Sequence, residues 1–243
     1  MAADLRATLE PLADWDVIVQ PAAGDRRKRL LIADMDSTMI TVECIDELAD
    51  YAGIKPQIAA ITERAMQGEL DFHAALVERV ALLEGLSEEV IAMCLAERVR
   101  PMPGSHVLIR TMKAHGSRCV LVSGGFTRFA EPVADMIGFD LAIANKLEIR
   151  GGVLTGKVRE PIIDSGTKLA TLNAECAALG IAPSQVLAVG DGANDVPMIV
   201  AAGLGVAYHG HAAAVRAADA AIRHGNLSSL LWAQGYSMDE WTA

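Results

Sequence analysis

A parallel α/β sheet carrying a helical cap, inserted after its first core strand, is the fold class this sequence predicts, on three observations. Short apolar runs of β type alternate with segments of helical spacing, the arrangement a parallel sheet requires. Four runs are almost unbroken in apolar residues, as strands covered on both faces are: Leu30 to Ala33, Cys119 to Val122, Val186 to Val189 and Leu204 to Tyr208. Three of them end in small or acidic polar residues: Asp34-Met35-Asp36, Ser123-Gly124-Gly125 and Gly190-Asp191-Gly192. Ligands of open α/β sheets bind beyond the carboxyl ends of the strands, so these endings converge on one site.

Taken in order, the first 28 residues are too few for an independent core, and no role is assigned to segment 1–28. The first strand runs directly into Asp34-Met35-Asp36-Ser37-Thr38. A carboxylate pair is costly in a core, but it suits a site that holds a divalent cation and offers one oxygen as a nucleophile. A solvated turn is the alternative reading of those residues alone. Residues 57–70, 72–84 and 87–99 then have helical spacing, with Asp71 and Ser87 as N-caps and Gly85 as a stop. That is too much chain for one crossover, and it predicts a helical cap over 43–104 that closes on the catalytic edge. Pro101 and Pro103-Gly104 mark the return to an α/β core made of 29–42 and 105–225. Lys146 to Val158, centred on Gly151-Gly152, reads as a β-hairpin. Its glycines are turn residues rather than a phosphate cradle, because no helix follows them. In the tail, 226–243, the spacing of Leu227, Leu230, Leu231 and Trp232 suggests a docked helix.

Composition excludes several classes. The chain has 243 residues with 52% hydrophobic side chains, enough for one sizeable core. Lys plus Arg number 21 against 31 Asp plus Glu, a formal charge of −10, and aromatic residues are 4%; a nucleic-acid surface is not expected. An anionic substrate therefore needs local positive help. The cysteines Cys44, Cys94, Cys119 and Cys176 lack Cys-x-x-Cys spacing, and no basic segment with an apolar signal core opens the chain. A reduced, cytoplasmic protein is expected. The apolar stretches fall far short of the roughly 20 residues that span a bilayer, so no membrane partner is expected. The sequence does not reveal the oligomeric state.

Asp34-x-Asp36-Ser37-Thr38, Ser123-Gly124-Gly125, Lys168 and Gly190-Asp191-Gly192-Ala193-Asn194-Asp195 resemble, in order, the motifs of haloacid dehalogenase-like phosphatases. The wording of Glu43 to Glu47 (ECIDE), Met66 to Phe72 (MQGELDF), Arg79-Val80, Val122 to Phe126 (VSGGF) and Gly190 to Met198 (GDGANDVPM) is similar to members that act on phosphoserine. The resemblance covers roughly residues 28 to 225 and implies a Rossmann-like parallel sheet as the haloacid dehalogenase-like core. It implies Mg²⁺-dependent hydrolysis of O-phosphoserine to serine and phosphate, a step of serine biosynthesis. The small phosphomonoester substrate is the expected partner. Phosphoethanolamine as substrate, transfer to an acceptor alcohol, or a phospho-accepting signalling module are the alternatives. The last needs neither Asp36 nor an insertion of roughly 60 residues, long beyond ordinary connections.

The chemistry is consistent with these residues. Phosphate monoesters hydrolyse so slowly that a catalyst must lower the barrier by up to ~20 kcal/mol or more, beyond what one group supplies. Asp34 is the candidate nucleophile and Asp36 the general acid, later the base toward water. Asp191 can share Mg²⁺ with the Asp34 side chain and the backbone carbonyl of Asp36, a hard-oxygen set. Ser123 Oγ and the Gly124 N–H would bind the phosphate, and Lys168 would neutralise its charge. Asn194 is assigned to phosphate or metal-water contacts, and Asp195 to supporting the ligands from behind or capping a helix. By resemblance, Glu43 contacts the substrate's amino group, Arg79 grips its carboxylate, and Met66 and Phe72 line the closed pocket. Read without the resemblance, Glu43 and Arg79 are solvated charges, and Met66 and Phe72 are core. The six histidines show no metal-ligand grouping, with His209-Gly210-His211 read as a loop after the last strand.

Overall fold

The structure, a computed structural model, describes residues 2–10, 14–21, 26–66 and 69–242; the side chains of residues 2–4, 7 and 66 lie outside that description. Its strands are β1 (Leu30–Ala33), β2 (Arg118–Phe126), β3 (Leu141–Arg150), β4 (Val153–Arg159), β5 (Val186–Gly190), β6 (Leu204–Tyr208) and β7 (Ala220–Ile222). They form one seven-stranded sheet in the order β4-β3-β2-β1-β5-β6-β7. All neighbours are parallel except β3 and β4. The expected α/β class is therefore present, with β1 in the middle.

Alternation along each central strand explains why these runs are continuously apolar. Leu31 and Ala33 of β1, Cys119 and Leu121 of β2, and Leu187 and Val189 of β5 join one buried cluster. Leu30 and Ile32, Val120 and Val122, and Val186 and Ala188 join a second cluster. Successive side chains point to opposite faces, so a sheet covered on both sides needs no polar alternate. Register aligns the strand ends: Ala33 pairs with Leu121 and with Val189, so Asp34, Val122 and Gly190 begin the same edge.

Helix α1 (Ala2–Leu9) precedes β1, and between β1 and helix α6 (Ser105–Ala114) lie α2 (Cys44–Tyr51), α3 (Lys55–Met66), α4 (Phe72–Ala81) and α5 (Glu89–Glu97). Asp71 caps α4 by accepting from the Ala74 N–H at 2.7 Å. Helix α5 starts later than expected: its N-cap is Glu88, because Ser87 forms a bridge with Val153 and its hydroxyl accepts from the Glu89 N–H. The loop between α4 and α5 thereby pairs with the hairpin. Gly85 and Glu88 donate to the carbonyls of Leu154 and Gly152, and Leu154 donates back to Leu86, each at 2.9 Å.

The hairpin is also larger than the sequence suggests. Strand β3 runs parallel to β2 through Asn145 and turns antiparallel to β4 from Lys146 onward. Gly151 and Gly152 form its turn at φ 59° and 81°, a conformation open to glycine at little steric cost. Helices α7 (Thr127–Ile137), α8 (Ser165–Leu179), α9 (Val196–Ala201) and α10 (Ala212–Ala217) connect the remaining strands. β6 is not the last strand, so His209-Gly210-His211 bridges β6 to α10 and β7.

The segment before β1 packs against the one after β7. The tail helix α11 (Ser229–Gln234) is docked, with Leu227, Leu230 and Leu231 buried, but Trp232 is half exposed and lies edge-on to Trp241. The Lys28 N–H donates to Gln234 Oε1, and the Gln20 amide donates to the Ala233 carbonyl. Asp16 accepts from the N–H groups of Arg223, His224 and Gly225.

Candidate active site

Leaving β1, the chain turns at once. Thr38, Met39 and Ile40 all donate backbone N–H groups to the Met35 carbonyl, and Ser37 takes a left-handed φ of 54°. This tight turn sends Asp34 and Asp36 into different surroundings. Asp34 is 5% exposed and ion-paired with Lys168, which reaches it from the first turn of α8. The same ammonium donates to Asp195 Oδ1 at 2.6 Å. Burial would lower the Lys168 ammonium, but Asp34 and Asp195 outweigh it and hold its pKa above the ordinary lysine range. Burial pushes the Asp34 carboxyl up, with Lys168 pulling against it.

Asp36 lies on the other side of the turn. Its Oδ1 accepts from the Cys44 N–H at 2.9 Å, and its Oδ2 lies 3.4 Å from Ser123 Oγ. Burial, with the negative charge of Glu43 adding to it, raises its pKa to about 7. Strand β2 does not end at Val122 as expected: Ser123-Gly124-Gly125 continue it to Phe126 with an irregular register against β3, and the Gly125 N–H donates to Ser123 Oγ at 2.8 Å. A Cβ on Gly125 would stand 2.8 Å from Asp36 Oδ2 and 3.0 Å from Ser123 Oγ, so a side chain there would displace these two groups.

Beyond β5, a single 3₁₀ turn brings Asp195 back under Asp191. Asp195 Oδ2 accepts from the N–H groups of Asp191 and Gly192 at 3.1 and 3.0 Å. Thr38, fully buried, donates to Asp191 Oδ1 at 3.3 Å. Asp34, Asp191 and Asp195 bring carboxylate oxygens within 4.8 Å of one another. Burial first, and then Asp195 and Glu43, raise the Asp191 pKa to about 6. Crowded carboxylates short of positive charge are a donor set fit for a hard divalent cation. Asp195 has both oxygens engaged, by Lys168 and by two N–H groups, as a residue that orients the others would. The Asp36 carboxylate is outside this cluster.

Of the remaining sequence candidates, Phe72 approaches the cradle: its ring lies 3.1 Å from where a Cβ on Gly124 would be. Glu43 is exposed and accepts from Ser37 Oγ at 2.6 Å. Arg79 is partly buried, and its Nε donates to the Ala75 carbonyl; burial lowers its pKa against the pull of Asp46, Glu43 and Asp36. The side chain of Met66 lies outside the described residues. The Asn194 amide folds back over Gly192. His211 stands at the rim, its Nε2 4.0 Å from Asp191 Oδ2. Thr38 and Asn145 escape a reading by spacing, since their partners are remote in sequence. Asn145 Nδ2 donates to the Gly124 carbonyl at 2.8 Å, which no local pattern signals.

This geometry has known counterparts. A haloacid dehalogenase-like hydrolase family model matches residues 31–199, and the chain belongs to that family. It is 47% identical over 208 residues to a phosphoserine phosphatase of Albidiferax ferrireducens, covering 84% of this chain and 88% of that protein. It is 45% identical over 215 residues to phosphoserine phosphatase SerB2 of Mycobacterium tuberculosis, covering 88% of this chain but 52% of that longer protein. Among solved structures, a phospho-aspartyl intermediate analogue of phosphoserine phosphatase superposes with a TM-score of 0.79 at 34% identity, covering 85% of this chain and 98% of that one.

Proposed function

We propose that this chain is a Mg²⁺-dependent phosphatase that hydrolyses O-phospho-L-serine to L-serine and phosphate, in the cytoplasm, as a step of serine biosynthesis. The observation that carries the reading is the meeting of Asp34, Asp36, Ser123 and Lys168 at one sheet edge, in relatives' company that bears this activity. Asp34 attacks phosphorus as the ester P–O bond breaks, and Asp36 gives its proton to the departing serine oxygen. Water then attacks the aspartyl-phosphate, Asp36 takes the proton from it, and phosphate leaves with Asp34 regenerated. A carboxyl raised to about 7 is suited to both halves of that exchange near neutral pH. Lys168 offsets charge on the nucleophile and the phosphoryl oxygens throughout.

Asp34, Asp191 and the backbone of Asp36 would hold the Mg²⁺, with Asp195 behind them and Asn194 near its waters or the phosphate. When bound, the ion supplies charge neutralisation between the carboxylates and the phosphoryl group. Ser123 and Gly124 bind the phosphate. The segment 43–104 acts as the lid, with Glu43 for the ammonium, Arg79 for the carboxylate, and Met66 and Phe72 as its apolar lining.

Phosphate release from a panel of small phosphomonoesters, with Mg²⁺ and with chelator, tests this reading. Phosphoserine should be turned over fastest, and chelator should abolish the reaction. Equal or better turnover of phosphoethanolamine would sink the substrate assignment, and full activity in chelator would remove the metal.

A further inference from the structure

Asn145 is a neutral amide, 1% exposed, where the sheet would ordinarily place an apolar residue. Burying an amide is costly unless its donors and acceptor are satisfied, and here they are. Nδ2 donates to the Gly124 carbonyl at 2.8 Å and reaches the Ile163 carbonyl at 3.4 Å, while Oδ1 accepts from the Ile163 N–H at 2.7 Å. These partners belong to two different segments. Gly124 lies in the stretch of β2 that loses its regular register with β3, between the pairs Val122 with Ile143 and Phe126 with Asn145. Ile163 immediately precedes Asp164, the N-cap of α8, whose first turn carries Lys168. One side chain thus ties the irregular Ser123-Gly124-Gly125 stretch of β2 to the root of the Lys168 helix.

We propose that Asn145 is a positioning residue that fixes the spacing between the Ser123-Gly124 end of β2 and Lys168, so that both meet the same phosphoryl group. The inference rests on the phosphatase reading above, and it concerns the phosphoryl group rather than the serine portion. Asn145 touches neither Glu43 nor Arg79 in these contacts, so its loss weakens the hold on phosphate whatever the rest of the substrate is. Asn145→Asp keeps the size and the acceptor for Ile163, but it sets an oxygen against the Gly124 carbonyl. Asn145→Ala removes every contact of the amide.

The test compares both variants with the wild type in steady-state kinetics on phosphoserine and p-nitrophenyl phosphate, in inhibition by inorganic phosphate, and in circular dichroism with thermal melts. In folded variants, KM for both substrates and Ki for phosphate should rise together, by roughly tenfold. A fall in kcat alone, with KM and Ki unchanged, would place the effect of Asn145 in the transition state rather than in the hold on phosphate and overturn the proposal, as would unaltered kinetics. Should Asn145→Ala fail to fold, the isosteric Asn145→Asp decides the matter. A wild type that hydrolyses p-nitrophenyl phosphate but ignores phosphoserine would sink the substrate reading and leave the Asn145 comparison intact.

Discussion

Asp34 and Asp36 differ by two positions and by almost everything in their surroundings. Asp34 faces a buried ammonium, whereas Asp36 faces a backbone N–H and a hydroxyl. On the proposed mechanism these surroundings divide the labour: Asp34, beside Lys168, is the attacking carboxylate, and Asp36, with a carboxyl near neutrality, gives and takes the proton. Asp34→Asn preserves shape and leaves Lys168 its bond to Asp195, so the fold should persist. Turnover should drop by roughly three orders of magnitude or more, with circular dichroism unchanged. A normal rate in that variant would exclude Asp34 as the nucleophile.

At the scale of elements, the central strands were legible because burial on both faces forces continuous apolar runs, and β1, β5 and β6 begin where those runs begin. Asp34, Ser123 and Asp191 were legible for the same reason, as polar residues ending such runs. Strand β3 was only half legible. Asn145 and Lys146 interrupt its apolar pattern at the place where it changes partners from β2 to β4. β7 is three residues of Ala-Ala-Ile, too short and too small to stand out from helix. Helix α2 shows only after folding, because its charged residues conceal a narrow stripe of Cys44, Leu48 and Ala49. The contact between the hairpin and the loop joining α4 to α5 was not legible at all, being built from backbone atoms. It depends on Gly156 at φ 73°, where a Cβ would meet Glu84 Cβ at 3.0 Å and the Ala81 carbonyl at 3.2 Å. Gly156→Val should therefore cost roughly 1–3 kcal/mol in urea unfolding. An unchanged midpoint would show that this approach has slack.

Over the whole molecule, the segment before β1 is held to the one after β7 by a charge. Burial would raise the Asp16 carboxyl, but hydrogen bonds from the N–H groups of Arg223, Gly225 and His224 outweigh it and lower its pKa below the ordinary 3.8. A carboxyl lowered by folding contributes stability above its unfolded pKa and loses it as pH falls through the folded value. Wild type should accordingly melt above Asp16→Asn at pH 7, and the gap should close on acidification below about 4. A gap that stays constant across that range would remove the charge of Asp16 from the account. The pairing of Gly85, Leu86 and Glu88 with Gly152 and Leu154 has a consequence for motion. If segment 43–104 moves as the proposed lid, these backbone bonds make it either carry the hairpin along or break them. Deuterium uptake at the Gly85, Glu88 and Leu154 amides during turnover distinguishes the two: slow exchange means that the bonds stay closed and that any swing of the segment takes a corner of the sheet with it, and fast exchange means that they open.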